Sequence, residues 1–141
     1  MLLLSIHPKY VKAILSGKKR VELRRRQPRT DNGRALIYAT APQMELVATF
    51  QVERVTRLPL NLLWQSVRDV AGISRREFDA YYQGLDAGVS IQIANVNELV
   101  RPISLKELRE TWPGFQPPQG FLYIEDALAA KLGIRQIGLA A

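Results

Sequence analysis

The sequence predicts a single α+β domain, a small mixed β-barrel of about six strands with flanking helices. The first observation is length, because 141 residues can bury about 68% of the unfolded surface in one hydrophobic core. The second is composition: 47% hydrophobic and 23% charged residues are typical of ordinary globular proteins. The third is order, since the second, third and fourth predicted strands follow one another without the helix that a parallel crossover needs. This order favours a mixed barrel over a doubly wound sheet.

The N-terminal quarter predicts a strand, a helix and a second strand. Leu2–Ile6 is a short apolar run typical of a buried strand. The following segment, HPKYVKAILSG, has Pro8 in the first helical turn and Gly17 at a left-handed exit. After the glycine the period changes to two, and Val21 and Leu23 alternate with polar residues. We therefore expect a half-buried strand, and its outer face carries Arg20, Glu22 and Arg24.

The middle of the chain predicts two strands and then two helices. A loop with the turn formers Asp31-Asn32-Gly33 leads into the strand ALIYAT, and the longer strand ELVATFQVERV follows. The next segment has the i, i+3, i+4, i+7 spacing of a helix. Its apolar face comprises Leu60, Leu63, Trp64 and Val67. Ser74 and Glu77 then form a capping box that begins another helix, which Gly84 ends.

The C-terminal third predicts a strand in GVSIQIANV, a short helix that begins with the capping-box spacing of Ser104 and Glu107, and a strand in FLYI after the proline-rich loop WPGFQPPQG. The tail DALAAKLGIRQIGL predicts a last small helix and an edge strand. We expect one domain over residues 1–141, with a core of about 2–124 and a C-terminal helix and tail at 125–141. Most of the strands are expected to be short.

Positive charge is concentrated at the N-terminus. The chain carries a net charge of +7, but residues 1–34 hold ten Lys and Arg against Glu22 and Asp31, so the remaining residues sum to −1. One sign of charge concentrated in a quarter of the chain is typical of a docking face for polyanions. The alternative is a solvated basic face that only aids solubility.

Several function classes are excluded by composition. With no cysteine and a single histidine, disulfides, zinc or thiol chemistry and a Ser-His or Cys-His nucleophile are not expected. We expect no metal and no cofactor. The N-terminal MLLLSI is too short for a secretory signal, and no apolar stretch approaches the roughly 18 residues that span a bilayer. We therefore expect a cytoplasmic protein that does not bind membranes.

Glu22 is the candidate around which a site is expected, because it lies alone within a run of cations. Its carboxylate is suited to orienting Arg24 or Lys19, or to accepting a hydrogen bond from an exocyclic base amine. The alternative is an exposed salt bridge that contributes less than ~1 kcal/mol. On an ideal pleat Lys19 and Glu22 point to opposite faces, so the two converge only if a bulge or the helix exit turns the lysine.

Two further segments offer ligand contacts. Tyr38 and Thr40 end a strand in small residues and proline, which leaves backbone groups accessible. The loop before FLYI offers Gln119, whose amide is able to read a base edge, beside Phe121, whose ring is able to stack. The alternatives are an ordinary strand exit and a loop packed on the core by Trp112 and Phe115.

The chain resembles the ASCH domains of the PUA-like superfamily. The resemblance rests on LLLSIHPKYVKAILSGKKRVELRRR, which contains a G-x-K-x-x-E-x-R core at Gly17, Lys19, Glu22 and Arg24. It is supported by ALIYATAP, by LW with the downstream pattern GIS-x-x-x-F-x-x-YY-x-G, and by PPQGF, so it covers about residues 2–124. The resemblance implies a β-barrel with flanking helices and a cleft, lined by the core motif, that binds RNA or modified nucleobases.

Some ASCH proteins are enzymes, and the resemblance therefore implies an alternative. The N4-acetylcytidine amidohydrolases use a lysine, a threonine and a glutamate. Lys19 falls at the lysine position, but Glu22 occupies the place of the threonine. The neighbourhood of Ala71–Ser74 has no carboxylate where the family acid would lie, and Asp69 is the nearest. Because a carboxylate cannot replace an attacking hydroxyl, that mechanism does not transfer intact. Other ASCH proteins are ribonucleases, and Lys19, Arg24 and Tyr38 are candidates for metal-free RNA cleavage.

The sequence thus predicts a module that binds RNA or a modified nucleobase in a basic cleft. The expected binding residues are Lys18, Lys19, Arg20, Glu22, Arg24, Arg26, Tyr38, Thr40 and Gln119. The alternative is a hydrolase acting on an acylated nucleoside or on RNA, in which Lys19 and Glu22 are catalytic. A third interpretation is a protein-interaction domain whose basic strand meets an acidic partner. The oligomeric state stays open.

Overall fold

In a computed structural model that describes residues 1–29 and 33–134, the chain forms six strands and five helices. The strands are β1 (Leu2–Ile6), β2 (Val21–Arg24), β3 (Arg34–Ala39), β4 (Glu45–Pro59), β5 (Ala87–Ser104) and β6 (Phe121–Tyr123). The helices are α1 (Pro8–Leu15), α2 (Leu60–Val67), α3 (Arg75–Tyr81), α4 (Leu105–Thr111) and α5 (Asp126–Lys131). The predicted edge strand of the tail and Asp31-Asn32 of the predicted turn lie outside the described residues.

The six strands form one sheet in the order β2–β5–β4–β3–β1–β6. β1 pairs with β3 in parallel and the other neighbouring pairs are antiparallel, so the sheet is mixed. It curls into a half-barrel with the helices around it, and the predicted α+β class with about six strands is confirmed. The two edge strands, β2 and β6, are those that a closed barrel would bring together.

Two strands are much longer than predicted. β4 has 15 residues and β5 has 18, so the expectation of mostly short strands is wrong for this central pair. The pairing of β4 with β5 shifts register between Leu46 and Ala48, between Thr49 and Gln51, and between Val52 and Arg54. Bulges of this kind bend a strand and increase its twist. One bent pair therefore joins β3 on one side to the edge strand β2 on the other.

Three apolar clusters hold the sheet and its helices. The first joins α1 to four strands, with Val11 and Ile14 packed among residues such as Leu4, Ile37 and Ile91. The second packs α4 and α5 on the other face of β1 and β3. The third places α2 and α3 against β2. N-cap serines explain why α3 and α4 begin where they do, because Ser74 and Ser104 each accept a hydrogen bond from the backbone N–H three residues later, and at α3 Glu77 completes a capping box.

The third cluster anchors β2 from behind. Tyr82 is buried, and its hydroxyl donates to the backbone carbonyl of Arg24 at 3.0 Å and lies 3.3 Å from that of Val89. Gly88 leaves room for this ring, since a Cβ atom there would lie 2.5 Å from Tyr82. Val21 and Leu23 face this cluster. The alternate residues of β2 therefore face the opposite side, toward the interior of the half-barrel.

No helix in the described ranges is long and apolar enough to cross a membrane.

Candidate functional site

Lys19 is turned into the protein at the exit of α1. Gly17 has a φ of +83°, the left-handed conformation that ends the helix, and the backbone N–H of Lys19 then donates to the carbonyl of Ala13 at 3.0 Å. The side chain is only 3% exposed, and Nζ donates to the carbonyl of Ala71 at 2.6 Å. A Cβ atom at Gly72 would lie 3.0 Å from Cβ of Lys19, so this glycine accommodates the buried lysine.

The surroundings of Lys19 change its titration. Burial lowers the pKa of Lys19 below its ordinary value of 10.5. The Glu22 carboxylate raises this pKa, the Arg24 guanidinium lowers it further, and the Glu77 carboxylate raises it more weakly. Nζ also lies 5.2 Å from the ring centroid of Tyr10, whose hydroxyl donates to Glu77 at 3.1 Å. The lysine is therefore enclosed by one carbonyl, one aromatic ring and charges of both signs.

We expect the ionisation of Lys19 to make the free energy of unfolding depend on pH. As the pH rises from the lowered pKa of the folded state toward 10.5, the free energy of unfolding of the wild type should increase relative to that of Lys19→Met. The sign follows because in this window the unfolded chain still binds a proton that the folded lysine has released. Urea denaturation of both proteins at a series of pH values measures the difference. A difference that stays constant or falls with pH would contradict the lowered pKa.

Glu22 faces the interior of the half-barrel instead of the solvent. It pairs with Ile91, a residue of the first cluster, and it is 7% exposed. The expectation of a half-buried β2 with an outer polar face is therefore wrong: all four residues of the strand are buried. The physical reason is that α2 and α3 cover one face of β2 while the curl of the sheet encloses the other. Of the three charged residues predicted for the outer face, only Arg20, which precedes the strand, is exposed.

Arg24 bridges the two ends of the sheet. Its Nη1 donates to the carbonyl of Gly120, just before β6, at 3.0 Å, and its Nη2 donates to the carbonyl of Ser5 in β1 at 2.9 Å. Its Nε lies 3.9 Å from Oε1 of Glu22. The guanidinium thus joins the edge strand β2 to the opposite side of the half-barrel, where no backbone pairing does so among the described strands.

Three buried polar atoms near this bridge lack a hydrogen-bond partner in the described part of the chain. They are Oε2 of Glu22, Nε of Arg24 and Oγ of Ser5. Buried polar groups are normally paired, because an unpaired one costs roughly 1–3 kcal/mol. Unpaired donors and acceptors of this kind are typical of a site that binds a polar ligand or water.

A groove of about 520 Å³ opens above Arg24. It is lined by Arg24, Arg25, Arg26, Tyr81, Pro118, Gln119, Gly120 and Phe121. Of the predicted binding residues, the groove brings together Arg24, Arg26 and Gln119. Lys19 and Glu22 are not part of its lining, and Glu22 contacts the Arg24 side chain from the buried side.

The other predicted binding residues lie elsewhere. Lys18 and Arg20 are exposed on the turn that follows α1. The half-buried Thr40 directly follows β3, and its backbone N–H donates to the carbonyl of Ile6. Tyr38 is 2% exposed and belongs to the second apolar cluster, with its ring centroid 6.3 Å from that of Phe115. Its assignment as a ligand contact is therefore corrected. The cause is that Tyr38 shares its face of β3 with Leu36, which packs on α4 and α5.

Sequence reasoning missed Arg25 and Tyr81, which line the groove. The guanidinium carbon of Arg25 lies 4.5 Å from the ring centroid of Tyr81, and Arg25 Nε donates to the Tyr81 carbonyl at 2.8 Å. The available signal was the tyrosine pair at 81 and 82 in the predicted helix. In fact Tyr82 is buried and Tyr81 lines the groove.

The described residues contain no group of three or more His, Cys, Asp or Glu side chains that could hold a metal ion.

Comparison with known proteins decides the family. The model of the ASCH domain family matches residues 4–117. This chain belongs to the ASCH family. ASCH domains belong to the PUA-like superfamily, so the resemblance seen in the sequence is confirmed.

Two proteins illustrate the similarity of this chain to others in sequence. An ASCH domain-containing ribonuclease of Zymomonas mobilis is 32% identical over 130 residues, which cover 92% of this chain and 87% of that protein. The large ribosomal subunit protein uL22 of Ureaplasma parvum is 29% identical over 92 residues, 65% of this chain but only 28% of that protein. The first similarity extends over nearly the whole of both proteins.

Solved structures confirm the fold. The crystal structure of the ASCH protein of Zymomonas mobilis superposes on this ASCH domain with a TM-score of 0.88 at 32% identity, covering 94% of this chain and 92% of that one. A more distant likeness, to the N-terminal domain of McrB from Staphylothermus marinus, has a TM-score of 0.54 at 12% identity and concerns the fold alone.

Proposed function

We propose that this ASCH domain binds single-stranded RNA in the groove above Arg24. The observation that carries the proposal is the lining of the groove, in which three consecutive arginines face two aromatic residues and the amide of Gln119. Cations track the phosphates of a single strand, and aromatic rings stack its bases. The similarity over nearly the whole chain to a protein named a ribonuclease supports RNA as the ligand class.

In this proposal Glu22 and Lys19 act behind the binding surface. Both are buried, and Oε1 of Glu22 lies 3.9 Å from Nε of Arg24. A carboxylate at this position favours one orientation of the guanidinium, so the donor groups of Arg24 are held in place before RNA arrives. Glu22 is thus a positioning residue for Arg24, and Lys19 fixes the chain between α1 and β2.

Salt-dependent binding tests this function. A fluorescein-labelled single-stranded RNA of ten nucleotides is titrated by anisotropy at several salt concentrations. If about four phosphates are neutralised, log K should fall with log salt at a slope near −3, about −0.7 for each phosphate. Arg26→Ala should weaken binding at least about fivefold and reduce the slope. Arg54→Ala is the matched control, because Arg54 is exposed on β4 outside the groove. Affinity that is independent of salt, or equal losses in both variants, would contradict the proposal.

A second candidate is cleavage of the bound RNA, favoured by the relative named a ribonuclease. In metal-free cleavage the ribose 2′-hydroxyl attacks the adjacent phosphorus and the bond to the 5′ oxygen breaks, which leaves a 2′,3′-cyclic phosphate and a 5′-hydroxyl. The reaction needs an acceptor for the 2′ proton, positive charge beside the phosphorane and a proton for the departing 5′ oxygen, which water supplies. Oε2 of Glu22 has no partner among the described residues, and Arg24 and Lys19 supply the charge. Tyr38 takes no part because it lies in the second cluster.

The acylated-nucleoside alternative receives no such support. Glu22 stands where the resemblance places a threonine nucleophile, and the segment around Ala71 offers Lys19 a backbone carbonyl instead of a carboxylate.

A further inference from the structure

We propose that a row of three arginine–aromatic pairs, two of which line the groove and the third of which extends it, binds the part of the RNA strand that leaves the groove. This inference rests on the proposed RNA-binding function and names a second portion of the binding surface. The pairs are Arg25 with Tyr81, Arg26 with Phe121, and Arg29 with Tyr123; together they are called the arginine–aromatic track.

Each pair is in contact in the free protein. The guanidinium carbon lies 4.5 Å from the ring centroid in the Arg25 and Arg29 pairs and 5.7 Å in the Arg26 pair. The Arg29 backbone N–H donates to the hydroxyl of Tyr123 at 2.7 Å. The rings of Phe121 and Tyr123 are edge to face, with centroids 5.9 Å apart. The last two pairs are therefore adjacent; the Arg25 and Arg26 pairs also line the groove, and the Arg29 pair lies beyond it.

The track forms where the two edges of the half-barrel meet. The three arginines follow β2, whereas Phe121 and Tyr123 occupy alternate positions of β6 and so share one face. Arg24 holds these two regions together through its hydrogen bond to Gly120. The track thus continues from the arginine at the floor of the groove along the seam between β2 and β6.

The charges of the track are available to a ligand. Arg25, Arg26 and Arg29 are all exposed, and none of them has an ion-pair partner in the described part of the chain. A cation–π contact at an exposed position stabilises a fold by about 0.5–1 kcal/mol. If the three pairs served only to hold the loop, three neighbouring arginines without ion pairs would not be needed. The absence of ion pairs at these three arginines in the described part of the chain favours a polyanion.

The aromatic partners decide which polyanion is favoured. A guanidinium that lies against a ring keeps its second face for a base and its N–H edge for a phosphate. Stacking of this kind requires bases that are not paired in a duplex. A single strand provides both the free bases and the phosphates, whereas an acidic protein segment would provide only the charge.

Binding of oligonucleotides of different length tests the track. A trinucleotide fills the groove alone, whereas an RNA of ten nucleotides also reaches the track, and we expect the longer RNA to bind at least about tenfold more tightly. Arg29→Ala and Tyr123→Leu should each weaken the ten-nucleotide RNA at least about fivefold, the factor that corresponds to about 1 kcal/mol for one stacked base. Neither should change the affinity for the trinucleotide by more than about twofold. Thermal denaturation confirms that both variants are folded.

Arg29→Lys separates stacking from charge. It keeps the cation but loses the planar group, so we expect the salt slope of the wild type with a weaker affinity for the longer RNA. A duplex of the same sequence should bind more weakly than the single strand. The track is overturned if the trinucleotide and the ten-nucleotide RNA bind equally well, if Arg29→Lys binds like the wild type, or if the duplex binds as tightly as the single strand. In the first two cases the groove still binds RNA and the proposed function stands, whereas a duplex that binds as tightly would also contradict the preference of the groove for a single strand. Failure of every RNA to bind would instead remove the proposed function.

Discussion

Replacing Arg24 by alanine is expected to lower the free energy of unfolding by about 3–5 kcal/mol. The guanidinium donates to the carbonyls of Ser5 and Gly120, and it is the charged group closest to the buried carboxylate of Glu22. Its removal leaves two carbonyls without a donor and a buried charge without its partner, which is costlier than the loss of the pair itself. It also removes the link between the edge strand β2 and the far side of the half-barrel.

Urea denaturation followed by tryptophan fluorescence measures this loss. The matched control is Arg26→Ala, an exposed arginine two residues along the chain, for which the change should stay within about 0.5 kcal/mol. The double variant Glu22→Gln/Arg24→Met removes both charges. Its loss in free energy of unfolding should be smaller than the summed losses of Glu22→Gln and Arg24→Met, because no uncompensated charge remains. A loss below about 1 kcal/mol in Arg24→Ala would show that the bridge does not stabilise the fold, and strict additivity in the double variant would show that Glu22 and Arg24 are not coupled.

Glu22→Gln is expected to reduce RNA cleavage by about 10²- to 10⁴-fold if the second candidate function is correct. The amide has the shape of the carboxylate but cannot take up the 2′ proton. Oε2 of Glu22 is covered in the free protein, so this candidate function requires that RNA uncover it by drawing the Arg24 guanidinium onto a phosphate. Geometry that tightens only in the complex is common for catalytic groups.

The appropriate measurement is the rate of appearance of the 2′,3′-cyclic phosphate from end-labelled RNA. Glu53→Gln, at an exposed position of β4, is the matched control and should cleave like the wild type. RNA with 2′-O-methyl groups cannot be cleaved, so its affinity reports binding alone and should change by less than about threefold in Glu22→Gln. Undiminished cleavage by Glu22→Gln would exclude Glu22 as the base. No product with the wild type would remove the ribonuclease candidate and leave RNA binding in place.

Both predictions concern the G-x-K-x-x-E-x-R core by which the chain resembles its family. The core places one residue in each of three environments: Lys19 against the carbonyl of Ala71, Glu22 on the inner face of β2, and Arg24 across the seam of the half-barrel. Only Arg24 also lines the groove. A motif of eight residues thus combines the joining of two structural elements with the presentation of a single cation to the ligand.

Much of the fold was predictable because its signals are local. Gly17 ends α1, Ser74 and Ser104 begin two helices, and a period of two along VELR indicates a strand, and each of these signals depends on residues a few positions apart. The lengths of β4 and β5 were not predictable in the same way. Their pairing continues through bulges, and a bulge hides the alternation on which strand prediction depends.

The sequence by itself determined the type of most helices and strands, the mixed character of the sheet and the concentration of cations in the first quarter of the chain. Only the tertiary structure decided that β2 is buried on both faces, that Tyr38 packs in a core cluster and that Arg24 lies at the floor of a groove. The physical reason is distance along the chain: Arg24 bonds to Gly120, 96 residues away, and Arg25 to Tyr81, 56 residues away. Burial and ligand contact are set by such distant partners, and no periodicity within a single segment reports them.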